Sequence, residues 1–116
     1  MAPSPEGFST LEFHVLLALA SGPIYGYAVK DAVATESGGA LTPRAGSLYR
    51  VIARFMTDGL VTEQDPARDE PHPGLARRYY VLTAAGRRAL GAEARRLKHS
   101  AAIAEKRLGI AAHGRS

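Results

Sequence analysis

The sequence contains no cysteine. Disulfides, thiol nucleophiles and thiolate metal sites are thereby excluded, which fits the cytoplasmic location expected for the chain. Long hydrophobic runs are also missing. The longest, Val15 to Ala20, falls far short of the roughly 20 apolar residues that cross a bilayer, so no membrane partner is expected. The N-terminus reads Met-Ala-Pro-Ser-Pro-Glu, with no basic segment leading into an apolar stretch, and no signal peptide is expected. Motifs of catalysis are absent as well. His14, His72, His99 and His113 show no metal-ligand spacing, and there is no HExxH pair. Gly22, Gly26 and Gly38-Gly39 fall outside the GxGxxG and GxxxxGK(S/T) phosphate loops, and Gly46-Ser47 is not part of a GxSxG elbow. The chain is read as a non-enzyme with no metal and no cofactor.

What is present is a chain of 116 residues, 46% of them hydrophobic. That length suits one domain plus an additional element, and that composition argues against disorder. The net charge is +4 and the pI about 9.8. Basic surfaces attract polyanions, nucleic acid above all, but the placement of the arginines matters more than their number.

The element order follows from periodicity and stop signals. Residues 1–7, rich in Pro, Ser and Gly, read as a loose arm. A first helix runs from Phe8 to Ala20, capped by Ser9 or Thr10 with Glu12 in its first turn, and with Phe13, Leu16, Leu17 and Ala20 at helical spacing. A second runs from about Tyr25 to Ser37, with Val29 and Val33 on one face and Gly38-Gly39 as its stop. Ala40-Leu41 reads as a very short strand. Thr42-Pro43 reads as an N-cap with proline at the first helical position, opening a third helix to Asp58. Leu60–Gln64 and Arg77–Leu82 form a hairpin with Tyr80 and Leu82 on one face, and Thr83 caps a long final helix. Three short helices followed by a hairpin give the expected fold: mainly α, a winged helix-turn-helix over 8–82, a C-terminal helix over 83–110 and a disordered tail over 111–116.

The third helix is the most informative segment. At helical spacing Leu48, Val51, Ile52 and Phe55 form one stripe, which must face the core. The opposite side carries Gly46, Arg50, Ala53 and Thr57, flanked by Ser47, Tyr49 and Arg54. Small residues permit close approach to a major groove, and arginines reach phosphates or guanine edges. A solvated face with scattered arginines is the plainer alternative. Against it, an exposed glycine inside a helix costs ~1 kcal/mol relative to alanine, which asks for a contact reason. On the wing, Arg77 and Arg78 begin the return strand and are positioned for phosphates, whereas Asp65, Asp69 and Glu70 would repel them and weaken the case for Arg68. On the last helix Leu90, Ala94, Leu97, Ala101, Ala104 and Leu108 form a heptad-like seam. A helix this long exceeds what the three-helix core needs, so part of the seam wants another partner; packing against the first helix of the same chain is the alternative.

Four pieces in order then resemble the PadR family of bacterial transcriptional regulators, in its shorter form with a single C-terminal helix. Phe13-His-Val-Leu-Leu-Ala-Leu-Ala20 running into Ser21-Gly-Pro-Ile-Tyr-Gly-Tyr27 is similar to the family's L-L-A-x-G-P-x-(H/Y)-G-Y. Gly46-Ser-Leu-Tyr-Arg50 is similar to G-(T/S)-L-Y, and Phe55-Met-Thr-Asp-Gly-Leu-Val61 to L-x-x-x-G-L-(I/V). Arg77-Arg-Tyr-Tyr-Val-Leu-Thr-Ala-Ala-Gly86 is similar to R-(R/K)-Y-Y-x-L-T-x-x-G. The resemblance implies a homodimer held by the last helix, with the third helix and the wing on operator DNA, and repression relieved by a small-molecule effector. The chain has no tryptophan, which rules out a stacking pocket built on that residue at the dimer centre.

The expected function is that of a dimeric repressor on double-stranded DNA whose operator is an inverted repeat. Tyr27, Thr42, Arg44, Gly46, Ser47, Tyr49, Arg50, Arg54, Arg77 and Arg78 are the expected DNA-facing residues. Rival readings are an activator, an architectural DNA binder, a winged-helix protein-interaction module, and a small-molecule-binding protein without DNA contact.

Overall fold

The computed structural model describes residues 7–64 and 78–110. The elements are α1 (Thr10–Leu19), β1 (Ile24–Tyr25), α2 (Gly26–Glu36), α3 (Ala45–Thr57), β2 (Val61–Gln64), β3 (Tyr79–Leu82) and α4 (Ala84–Leu108). This is the expected winged-helix order, with one addition. The hairpin is part of a three-stranded antiparallel sheet in the order β1-β3-β2, in which Ile24 pairs with Tyr80 and Tyr25 with Tyr79. The expected strand at Ala40-Leu41 does not form. The Leu41 amide is instead held by the Ser37 hydroxyl at 3.0 Å, in coil that leads to α3.

Local chemistry sets the helix ends. The Ser9 hydroxyl accepts from the Glu12 amide at 3.1 Å, and the Glu12 carboxylate accepts from the Ser9 amide at 2.8 Å, a complete capping box. Thr83 caps α4 by accepting from the Gly86 amide at 3.0 Å, while its hydroxyl donates to the Gly59 carbonyl at 2.7 Å. That double use welds the end of the sheet to the start of α4. The cap expected at Thr42-Pro43 is not used. α3 begins at Ala45, after Arg44, which supplies no side-chain cap. The first core residue of the helix is Leu48, and none of Thr42, Pro43 and Arg44 is fully buried.

The core joins Val15, Leu16, Ala18 and Leu19 of α1, Val29 and Val33 of α2, and Leu48, Ile52 and Phe55 of α3 with Leu60, Val61, Tyr80 and Leu82. Tyr80 and Leu82 share the inward face of β3, as expected. Burial, with Glu63 nearby, pushes the Tyr80 hydroxyl up to about 12, so it stays protonated at neutral pH. The α1 stripe expected at Phe13, Leu16, Leu17 and Ala20 is rotated. Only Leu16 of that set is fully buried, and Val15, Ala18 and Leu19 take the remaining places. α1 packs on α2, α3, β3 and α4 together, so several of its faces are enclosed and the apolar spacing does not single one out.

Gly86 marks the tightest approach. A Cβ there would lie 2.1 Å from the Leu60 carbonyl oxygen, a backbone atom that has no rotamer to yield. Gly91, one and a half turns on, would meet only the flexible Arg95 side chain, at 3.5 Å. Gly86→Ala is therefore expected to lower stability by ~1–3 kcal/mol or more, and Gly91→Ala to raise it by up to ~1 kcal/mol, read as opposite shifts of the urea midpoint.

Candidate nucleic-acid interface

Burial of Leu48, Ile52 and Phe55 turns the other side of α3 outward. Ala45, Gly46, Ser47, Arg50, Ala53, Arg54 and Thr57 are exposed, Tyr49 and Val51 half-buried. A Cβ on Gly46 would meet nothing within 4 Å among the described residues, so no packing against them requires glycine there. The helix start has no side-chain cap and no acidic residue in its first turn, leaving its first N–H groups and their partial positive charge facing outward. Arg44 and Arg50 are exposed and make no ion pair with another described residue. Thr42 is exposed in the coil just before the helix. Burial raises the Tyr49 hydroxyl above the ordinary tyrosine value, keeping it a neutral donor.

Arg54 stands apart from this group. Its guanidinium pairs with Glu12 of α1 and lies over the Phe55 ring, 5.9 Å from the centroid. Glu12 thus does two things, closing the α1 cap and holding α3. Sequence periodicity places Arg54 on the flank of the helix but gives no sign of its partner 42 positions earlier. Arg78 is likewise engaged, donating to both carboxylate oxygens of Glu63 at 2.9 and 2.8 Å across the β2–β3 pair. Arg77, Arg68, His72 and the rest of the wing tip lie outside the described residues.

Tyr27, at the start of α2, is 52% exposed and stacks on Tyr25 with ring centroids 5.1 Å apart. Tyr25 in turn lies 4.2 Å from Tyr79, its cross-strand partner. The three rings tie the α2 start to the wing strand, a link hidden in the sequence because β1 itself is not visible there.

On α4, Leu90 is half-buried against the chain's own core, while Ala94, Leu97, Ala101, Ala104 and Leu108 are exposed. Leu97 is 39% and Leu108 71% exposed. Ile103, 36% exposed and outside the seam as read from spacing, and Ile110 add to the apolar surface. Among the described residues no group of three or more His, Cys, Asp or Glu is placed to hold a metal ion. No helix among them is long and apolar enough to cross a membrane.

The model of the transcriptional regulator PadR-like family matches residues 15–92, which include α3, the sheet and the start of α4. The chain belongs to the PadR-like family. Among its relatives, an uncharacterized 37.1 kDa protein of a Streptomyces fradiae transposon is 41% identical over 81 residues, covering 69% of this chain and 21% of that protein. The chain thus spans about a fifth of that relative's length. A PadR family regulator from Eggerthella lenta is 29% identical, with a TM-score of 0.63 over 85% of this chain and 80% of its own. Bacillus subtilis PadR, solved in complex with operator DNA, has the same fold at 20% identity and a TM-score of 0.59, covering 72% of this chain and 45% of that one. In this PadR-like chain Gly46 and Ser47 of the G-S-L-Y segment are exposed in the first turn of α3 while its Leu48 is buried, and Tyr79 and Tyr80 of the R-R-Y-Y segment open the central strand of the sheet.

Glu12→Ala removes a cap and an ion pair together and is expected to cost ~1–2 kcal/mol, whereas Arg54→Ala, whose side chain is 54% exposed, costs under ~1 kcal/mol. Chemical denaturation of the two single variants and the double variant checks the order; equal losses would show that the cap contributes nothing.

Proposed function

We propose that this PadR-like chain is a sequence-specific DNA-binding repressor that works as a homodimer and is released by a small molecule. The observation that carries the reading is the outward face of α3. It combines an uncapped, acid-free helix start, a glycine that no contact with a described residue requires, and two arginines, Arg44 and Arg50, that make no ion pair with another described residue. Such a face suits a major groove. The first-turn N–H groups, with Ser47 and Thr42, reach phosphate oxygens. Arg50 reaches a guanine edge or phosphate, with Arg44 and Tyr49 beside it. Tyr27 meets the backbone from α2, and Arg77 and Arg78 brace the wing, Arg78 through its pair with Glu63. Arg54 orients α3 through Glu12 rather than contacting a base. The operator complex of Bacillus subtilis PadR supports the reading by analogy of fold.

The α4 seam supplies the dimer. A two-fold pair presents two α3 helices, so the operator is an inverted repeat whose half-sites lie ~34–36 Å apart if both enter successive major grooves on one side of the duplex. An effector acts by changing that spacing. The site of action is the cytoplasm, where such DNA is reached.

Selection from a random duplex library should therefore enrich an inverted repeat. Arg50→Ala is expected to weaken that duplex by ~1–3 kcal/mol with the melting temperature unchanged. Gly46→Ala should raise the stability of the free protein by up to ~1 kcal/mol while weakening the complex. A protein-docking surface would instead enrich no sequence and show little of the steep salt dependence of phosphate binding.

Leu97→Glu places two like charges at the two-fold seam and should yield monomers by sedimentation. Each monomer keeps one half-site contact and loses the gain of linked binding, ~100-fold or more. A dimeric Leu97→Glu protein would remove the seam from the account.

A further inference from the structure

The spacing of two α3 helices in a dimer is only as well defined as the relation of each α3 to its own α4. These helices are not packed broadly on each other: α4 leans on α1 and β3, and α3 on α1, α2 and β2. A separate connection runs through the segment Gly7-Phe8-Ser9, which leads into α1.

Glu93 of α4 is the one buried charged residue among those described, 4% exposed. A carboxylate in that position persists only if it is fully compensated. Arg96 bonds both of its oxygens, Nε to Oε1 at 3.1 Å and Nη2 to Oε2 at 2.5 Å. The Phe8 backbone N–H donates to the same carboxylate. Gly7 fits against this pair so closely that a Cβ would lie 2.8 Å from both Arg96 Nη2 and Glu93 Oε1. Its φ of +88° is one that other residues rarely adopt.

The segment pinned in this way grips α3 at two adjacent positions. The Phe8 ring meets Phe55 edge-on, with centroids 5.9 Å apart and planes at 89°. One residue later, Ser9 opens the capping box whose Glu12 pairs with Arg54. A chain of contacts therefore runs from Glu93 through Gly7 and Phe8 to Phe55, and through Ser9 and Glu12 to Arg54.

We propose that Glu93 is a positioning residue: by pinning the Gly7-Phe8 strap to α4 it fixes the recognition helix α3 relative to the dimer helix. Its effect on DNA rests on the function proposed above, but the coupling itself does not. Loss of the pin leaves the core intact and lets the C-terminal end of α3 move. A switch acting on the start of α4 would reach α3 by the same route.

Hydrogen exchange on the DNA-free dimer tests this. The reporters are the Asp58 and Leu60 amides, bonded to the Arg54 and Phe55 carbonyls at 2.9 Å each. Glu93→Ala and Gly7→Ala should each speed their exchange at least tenfold while leaving the amides of α2 unchanged. The double variant should be no faster than either single one, and Glu93→Gln, which keeps one acceptor oxygen but turns the other into an N–H2 donor facing donors, should restore only part of the protection. Gly7→Ala removes no side chain, so it carries the test if Glu93→Ala does not fold. A uniform acceleration through every element, or unchanged Asp58 and Leu60, would overturn the proposal. On DNA, both variants should lose about tenfold more affinity for the selected inverted repeat than for a single half-site, and equal losses would likewise overturn it. A wild-type protein that binds no duplex would defeat the DNA reading and leave the exchange result to decide the coupling.

Discussion

Burial of Leu48, Ile52 and Phe55 is the constraint on which the outward chemistry depends. Each large apolar side chain taken from water contributes ~1.5–3 kcal/mol, so the stripe outweighs any half-exposed ion pair on the same helix, worth ~1 kcal/mol or less. The rotation of α3 is thus set from inside. Gly46 and Arg50 face outward because the core fixes the opposite side, and the Glu12–Arg54 pair then trims the orientation without deciding it. A similar division holds at the sheet. Tyr80 and Leu82 anchor β3 in the core, leaving Tyr79 to complete the aromatic stack with Tyr25 and Tyr27.

Features governed by neighbours in sequence were legible before the structure. Ser9 with Glu12, and Thr83 with Gly86, are caps three residues long, and the Tyr80–Leu82 face follows from alternation. Features made by distant partners were not. β1 is two residues long and has no periodicity; it exists through its pairing with Tyr79 and Tyr80. Thr42-Pro43 carries a sound cap signal that tertiary packing does not use. At the candidate site, the outward residues Gly46, Arg50, Ala53 and Thr57 could be read from the stripe opposite them. The engagement of Arg54 and Arg78, and the contact of Glu93 with the Gly7-Phe8 segment, could not, because periodicity names a face and not the residue waiting there.

Net charge is a poor guide to the proposed interface. α4 holds Arg87, Arg88, Arg95, Arg96, Lys98, Lys106 and Arg107 against only Glu93 and Glu105. That surplus exceeds the +4 of the whole chain, so the remainder, α3 included, carries no net positive charge. The proposed attraction of α3 to DNA therefore rests on the local arrangement of Arg44, Arg50 and the helix start. In the proposed dimer two α4 helices would repel, and the apolar seam would have to overcome that repulsion, which salt screens. On the proposed reading, dimer formation and DNA binding respond to salt with opposite sign.

The central claim, that two copies of the α3 outer face enter successive major grooves, is tested most directly by methylation interference on the selected duplex. The account predicts that methylation of guanine N7, a major-groove atom, blocks binding at two symmetric positions about one helical turn apart. Interference confined to minor-groove adenine N3, or at a single unrepeated position, would contradict it.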